Sequence, residues 1–242
     1  MVNKSFPKLK FHLNKSLDKE VCFNFLEHKK AGADFGAAII RLYPQLVKAK
    51  GLPPKQKQLL VNKYIDKYYQ AQKERLNLAC KEAEKQWQKI EKQFYLATDK
   101  IFSHPWPKGK YIAYLSIFNC NPRFLETKTF QLFWRDSRGY PAIIAHEMVH
   151  FLFYDYLEKH FPQAENISAD KIWSLSEVIN FFILDSSPFH HLIGQKESLY
   201  PDLDTQAHKL LPVWKKSKNF RNFLSSSLKF LRNWPKPLQS TR

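Results

Sequence analysis

No run of about eighteen apolar residues occurs in this chain, so no ordinary membrane-spanning helix is predicted. The first thirty residues, MVNKSFPKLKFHLNKSLDKEVCFNFLEHKK, also lack the continuous apolar stretch that a secretory signal needs. Cysteine is scarce. Cys22, Cys80 and Cys120 are odd in number, far apart and in no CxxC pairing, which predicts reduced thiols serving as packing residues in a cytoplasmic setting. Glycine is scarce as well, with six against fourteen prolines, and both fall in short clusters such as GLPP (51–54) and HPWPKG (104–109). These clusters punctuate the chain without forming a flexible linker, and neither an internal repeat nor a low-complexity tract is present. What is abundant is apolar and aromatic side chain, 44% and 15% of the 242 residues, enough for a sizeable core and too much for general disorder.

The net charge of +17 is unevenly spread. Residues 48–110 carry a net +9 and the stretch from Lys209 to the end another +9, whereas residues 140–186 carry −5. Positive flanks around an acidic middle predict either a surface for nucleic acid or another acidic partner, or merely solvated helix faces. No arginine-rich cluster, paired-aromatic RNA-binding signature or zinc-finger spacing accompanies the charge.

Leu9, Phe11 and Leu13 alternate with polar residues, which predicts a strand over 7–13 able to join a sheet formed later in the chain. Short helices are predicted over 17–29, capped by Ser16 with Glu20 close behind, and over 35–48. From about 55 to 103, Tyr64, Tyr68, Ala71, Ala79, Ala83, Trp87, Ile90, Phe94, Ala97 and Ile101 recur mostly at three- and four-residue spacings, the pattern of one long amphipathic helix or two in succession. YIAYLSIF (111–118) and KTFQLFW (128–134) then read as strands separated by the turn-forming NCNPRF. Helices are predicted at about 141–157, 168–186, 202–212 and 217–232, with the last ten residues frayed. The fold class is therefore α+β, mainly helical, with a small sheet preceding the helix at 141–157 and a helical C-terminal lobe. Its parts run 1–53, 54–158 and 159–242 within one compact unit.

The helix at 141–157 contains AIIAHEMVHFLF (142–153), in which three ionisable groups interrupt an apolar run. Residues four apart lie about 40° apart around a helix, so His146 and His150 point the same way and can share one metal ion. Glu147 lies about 100° round from His146, badly placed as an equivalent ligand but near enough to take a proton from a water on that metal. This is the mechanics of HExxH: zinc lowers the pKa of a water, and the glutamate accepts its proton. Ile143, Ile144, Met148, Phe151 and Leu152 surround the motif, and burying two imidazoles and a carboxylate without partners would cost several kcal/mol. Such a zinc site usually takes a third protein ligand. Phe153 and Tyr156 stand where the extended motif HExxHxxGxxH needs glycine and histidine, so that variant is excluded. Asp155 and Glu158 lie off the metal-facing side or too far along, and His160, Glu165 and Asp170 fall in or beside the following loop. Glu177 is the preferred third ligand, because it sits midway along the next apolar helix among Leu175, Val178, Phe181, Phe182 and Leu184, and helices joined by a loop bring such positions face to face.

Over roughly residues 55–186 the succession of long helix, strands, HEMVH helix and SEVIN helix resembles the gluzincin, or thermolysin-like, zinc metallopeptidases. The resemblance implies one Zn2+ held by His146, His150 and Glu177, with Glu147 as general base in hydrolysis of a peptide or protein substrate. Gluzincins often place an acidic residue four beyond the ligand glutamate; here that position is Phe181, and Asn180 beside it is expected to orient a ligand histidine through its side-chain carbonyl. The family layout also assigns Thr129, Phe130, Gln131, Leu132, Phe133 and Trp134 to an edge strand along which a peptide lies extended. The oxyanion donor is sought among Tyr200, His190, His191 and His208. Two rival expectations stand beside this one: a polyanion-binding protein whose metal site is structural or vestigial, and a metal hydrolase acting on something other than a peptide.

Overall fold

The computed structural model describes residues 6–194 and 199–231. They are mostly helical, with a small mixed sheet of four strands, so the α+β class holds. No helix among them is long and apolar enough to cross a membrane. They fall into two compact units, each built from separated stretches: Lys8–Gln88 with Gly109–Ile144, and Lys89–Lys108 with Phe6, Pro7 and the described residues from Ala145 onward. Sheet pairing joins the start of the chain to its middle, which is why the sheet-containing unit draws on two separated stretches. The stretch left as frayed at the C-terminus lies outside the described residues.

The first, sheet-containing unit opens with β1 (Leu9–Leu13) and α1 (Lys15–Phe25). Asn14, and not Ser16, caps α1: its Oδ1 accepts the Leu17 amide at 3.0 Å, so the helix starts two residues earlier than expected. A two-residue hairpin, β2 (Lys29–Lys30) with β3 (Ala33–Asp34), leads into α2 (Phe35–Leu42). The helix expected over 35–48 breaks before Pro44, which cannot supply the amide that the helix needs, and Tyr43 is extended ahead of a 3-10 turn over Pro44–Ala49. The long polar segment forms two helices, α3 (Pro54–Ala71) and α4 (Lys73–Phe102), interrupted at Gln72.

The sheet is completed by β4 (Tyr111–Ser116), β5 (Arg123–Phe124) and β6 (Thr129–Phe133) in the order β1-β4-β6-β5. β1 and β4 are parallel, as are β4 and β6, while β5 runs antiparallel to β6. β6 is therefore not the open edge that the sequence suggested. Phe124 and Arg123 pair with Thr129 and Phe130, the Gln131 amide donates to the Pro122 carbonyl at 2.8 Å, and the Phe133 amide donates to Asn121 Oδ1 at 2.9 Å. Every residue of β6 is buried. A five-residue apolar strand shows its burial in sequence but not which neighbours it takes.

Asp18 knits this unit together. It is 0% exposed, and its carboxylate accepts from Tyr69 Oη (2.6 Å, α3), Ser116 Oγ (2.6 Å, β4), the Ile117 amide (3.2 Å) and Gln131 Nε2 (2.8 Å, β6). Burial pushes its pKa up to about 6, against the downward pull of those four donors. Val21, Cys22, Leu26, Ile39, Tyr43, Val61, Ile65 and Phe118 form the surrounding core. Burial also raises the Cys22 thiol to about 12, so it packs and does not react.

The second, helical unit takes α5 (Tyr140–His160) from Ala145 onward, followed by α6 (Ala169–Leu184), α7 (Ser187–Ile193), α8 (Asp204–Lys216) and α9 (Phe220–Leu231). Gly139 at φ 81 and Pro141 in the first turn start α5. Its body is apolar nearly all round, with Ala145, Met148, Val149, Phe151, Leu152 and Phe153 all buried. Aromatic rings bind the unit: Phe102 lies 4.3 Å from Phe220 between centroids, and Phe182 stacks on Trp214 at 5.9 Å.

Candidate metal centre

Three contacts fix how α5 faces α6. His146 O accepts from Asn180 Nδ2 at 2.7 Å, His150 faces Glu177, and Tyr154 Oη meets Ser176 Oγ at 3.3 Å. As the α5 number rises the α6 number falls, so the helices run antiparallel, as the connecting loop over 161–168 permits. The consequence is a cluster of His146, His150 and Glu177, the one group of three potential metal ligands among the described residues.

Within it, His146 Nε2 and His150 Nε2 are 3.1 Å apart. Glu177 sits astride the pair, with Oε2 at 3.2 Å from His146 Nε2 and Oε1 at 3.5 Å from His150 Nε2. Taking one oxygen only, the three ligand atoms lie within 4.8 Å of one another. Ligands on a tetrahedral zinc at about 2.0–2.1 Å stand about 3.3–3.4 Å apart; the two imidazoles meet that spacing at 3.1 Å, and the carboxylate meets it by presenting a different oxygen to each ring. His150 is 0% exposed and Glu177 2%, while His146 keeps 15% of its side chain open. Three groups able to ligate, so close and so dry, suit a shared cation. The residues present therefore fit a zinc ion. Two histidines and a carboxylate also suit iron(II), so metal identity is a matter for direct analysis.

Glu147 is buried beside His146 on α5. Asn180 is at the site, but its role differs from expectation: a main-chain carbonyl can only accept, so the amide nitrogen of Asn180 faces His146 O and its own carbonyl touches no ring. Asn180 thus fastens α6 to the backbone of the ligand helix. Phe181 is half-buried and its ring lies 5.9 Å from that of Phe182.

The four candidate oxyanion donors are dispersed. Tyr200 is half-buried and its ring packs on Trp173, one turn before Glu177, at 5.2 Å. His208 is exposed, hydrogen-bonded to the Asp204 carbonyl, and lines a cavity of about 380 Å³ that Phe181 also borders. His190 and His191 are exposed on α7, with His191 Nδ1 on the Ser187 carbonyl of its own helix. Thr129–Phe133 and Trp134 belong to the sheet-containing unit and line no open edge. Tyr154, which the sequence reading passed over, continues the stripe of His146 and His150 by one more turn. Ser176 gives its proton to the Trp173 carbonyl at 2.7 Å, so Tyr154 is the donor in their contact. Its signal was the same four-residue spacing that flagged the histidines.

No protein-family model, curated protein or solved structure matches this chain. The donor set itself therefore carries the chemical assignment.

Proposed function

We propose that this protein is a zinc-dependent peptidase of gluzincin type, acting inside the cell, in which His146, His150 and Glu177 hold the metal. The observation that carries the reading is the convergence of those three side chains on one point, with Glu147 buried one residue from the first of them. Zinc bound there would act as a Lewis acid, lowering the pKa of a water and polarising a carbonyl. Glu147 would serve as the base that accepts a proton from an attacking water and returns it to the departing amine, and its burial would strengthen that role by excluding solvent. His146, part-exposed where His150 is sealed, marks the side from which a substrate approaches. Asn180 keeps α5 and α6 in register, so the carboxylate stays opposite both rings.

The test is metal content and hydrolysis measured together, on peptide and non-peptide substrate panels. Glu147→Gln should retain zinc at this site and lose hydrolysis by about 10³-fold or more, while His150→Ala and Glu177→Gln should lose the ion held here. Iron in place of zinc, or Glu147→Gln acting like wild type, would sink the reading. Turnover of esters but not peptides would keep the metal chemistry and replace the substrate class.

A further inference from the structure

The helical unit contains a second histidine pair with nearly the geometry of the first. His146 and His150 hold their nitrogens 3.1 Å apart, their ring centroids 4.8 Å apart and their planes at 72°. His104 Nδ1 and His160 Nε2 are likewise 3.1 Å apart, with centroids at 5.0 Å and planes at 71°. That spacing serves two imidazoles on one ion as well as it serves a hydrogen bond.

The far side of His104 shows which of its nitrogens is free to ligate. Asp155 Oδ2 lies 2.7 Å from His104 Nε2, and a carboxylate can only accept, so the proton of His104 sits on Nε2 and its Nδ1 lone pair faces His160. A histidine whose outer nitrogen donates to a carboxylate while the inner one is bare is the usual arrangement of a metal-ligating imidazole. Asp155 is across the ring, held by Lys159 Nζ at 2.8 Å, and orients His104 without being a ligand. The site is built. Ser103 at φ 47 ends α4 and turns the chain so that His104 is buried against Tyr156, with ring centroids 5.2 Å apart. His160, the last residue of α5, lies tilted against the same ring at 4.3 Å and stays half-open to solvent. Burial, then the neighbouring His104, Arg221 and Lys159, lower the pKa of His160 against an upward pull from Asp155.

We propose that His104 Nδ1 and His160 Nε2 form a second site for an imidazole-seeking divalent ion such as Zn2+, Cu2+ or Ni2+, with Asp155 as the positioning residue. It does not rest on the hydrolytic reading, since it shares no ligand with His146, His150 and Glu177. Two protein ligands in place of three, and the cations Lys159 and Arg221 nearby, make it the weaker of the two.

Calorimetric titration of the full chain with Zn2+ near neutral pH tests this. Wild type should bind two ions, the second with roughly 100-fold lower affinity. His160→Gln, at a half-open position, should remove the second ion and leave the first. Asp155→Asn should weaken the second about tenfold. His146→Ala combined with Glu177→Gln should remove the first ion only, so loss of the first site is visible separately. One ion on wild type, or two ions that persist in both His160→Gln and His104→Gln variants folded by circular dichroism, would overturn the proposal and leave the pair a hydrogen bond.

Discussion

Asp18 in the sheet-containing unit and Glu177 in the helical unit are both carboxylates withdrawn from water, 0% and 2% exposed, yet the groups around them differ in kind. Asp18 faces hydroxyls, an amide side chain and a main-chain amide, all donors, and each of its oxygens receives two of them. Glu177 faces the ring nitrogens of two histidines that stand 3.1 Å from each other. A carboxylate ringed by donors is complete within the chain and holds secondary structure together. A carboxylate packed against two imidazoles is in the company of groups that can all ligate one cation. Burial alone marks neither; the sign of the neighbours separates a structural acid from a ligand.

The comparison can be broken most forcefully at Asp18. Asp18→Ala leaves four donors facing a void and should lower unfolding free energy by about 3–5 kcal/mol in a denaturant titration, with metal content unchanged. A loss of metal in that variant would show that the two carboxylates are not independent. The pH dependence comes next. The native pKa of Asp18, about 6, lies above its ordinary 3.8, so between these values the folded chain binds more protons than the unfolded one. This contribution to stability is full below about pH 3.8 and falls as pH rises through 6, by on the order of 3 kcal/mol. Asp18→Asn should flatten that slope in thermal melts across the window, and a slope that persists would assign it to other groups.

On the other side, zinc at about 100 times its dissociation constant should stabilise the wild type by about 2.7 kcal/mol, and chelation should reverse the gain. In Glu177→Gln most of the gain should be lost, whereas an Asp18 variant that still folds should keep it. Asn180→Ala removes one buried hydrogen bond to the ligand helix and should have the smallest effect, about 1–2 kcal/mol in stability with zinc affinity roughly tenfold weaker. Unchanged affinity there would mean that packing alone sets the register of α5 against α6.

Much of the candidate site could be read directly. His146 and His150 are four apart in a helix whose apolar residues announce burial, and Glu177 is an acid inside the next apolar helix. Short-range periodicity suffices for such readings because an α-helix has one geometry. β6 shows the limit: its residues announce a buried strand, but β5, Pro122 and Asn121 close its outer side, and strand pairing is a long-range choice. Asn180 shows another, since its position was right and its working atom was decided by a carbonyl on a different helix. Asp18 is an acid in the first turn of α1, and nothing within ten residues of it hints at Ser116 or Gln131.

By itself, then, the sequence determined the α+β class, the helices bearing HEMVH and SEVIN, the lack of an apolar span and the two histidines able to share an ion, all consequences of spacing along one chain. Only tertiary structure decided that Glu177 stands astride those histidines, that β6 is enclosed, that Asp18 is ringed by donors, and that His104 meets Asp155 and His160. Each of these joins atoms from separate elements, and the relative placement of elements is set by packing and hydrogen-bond satisfaction over the whole fold.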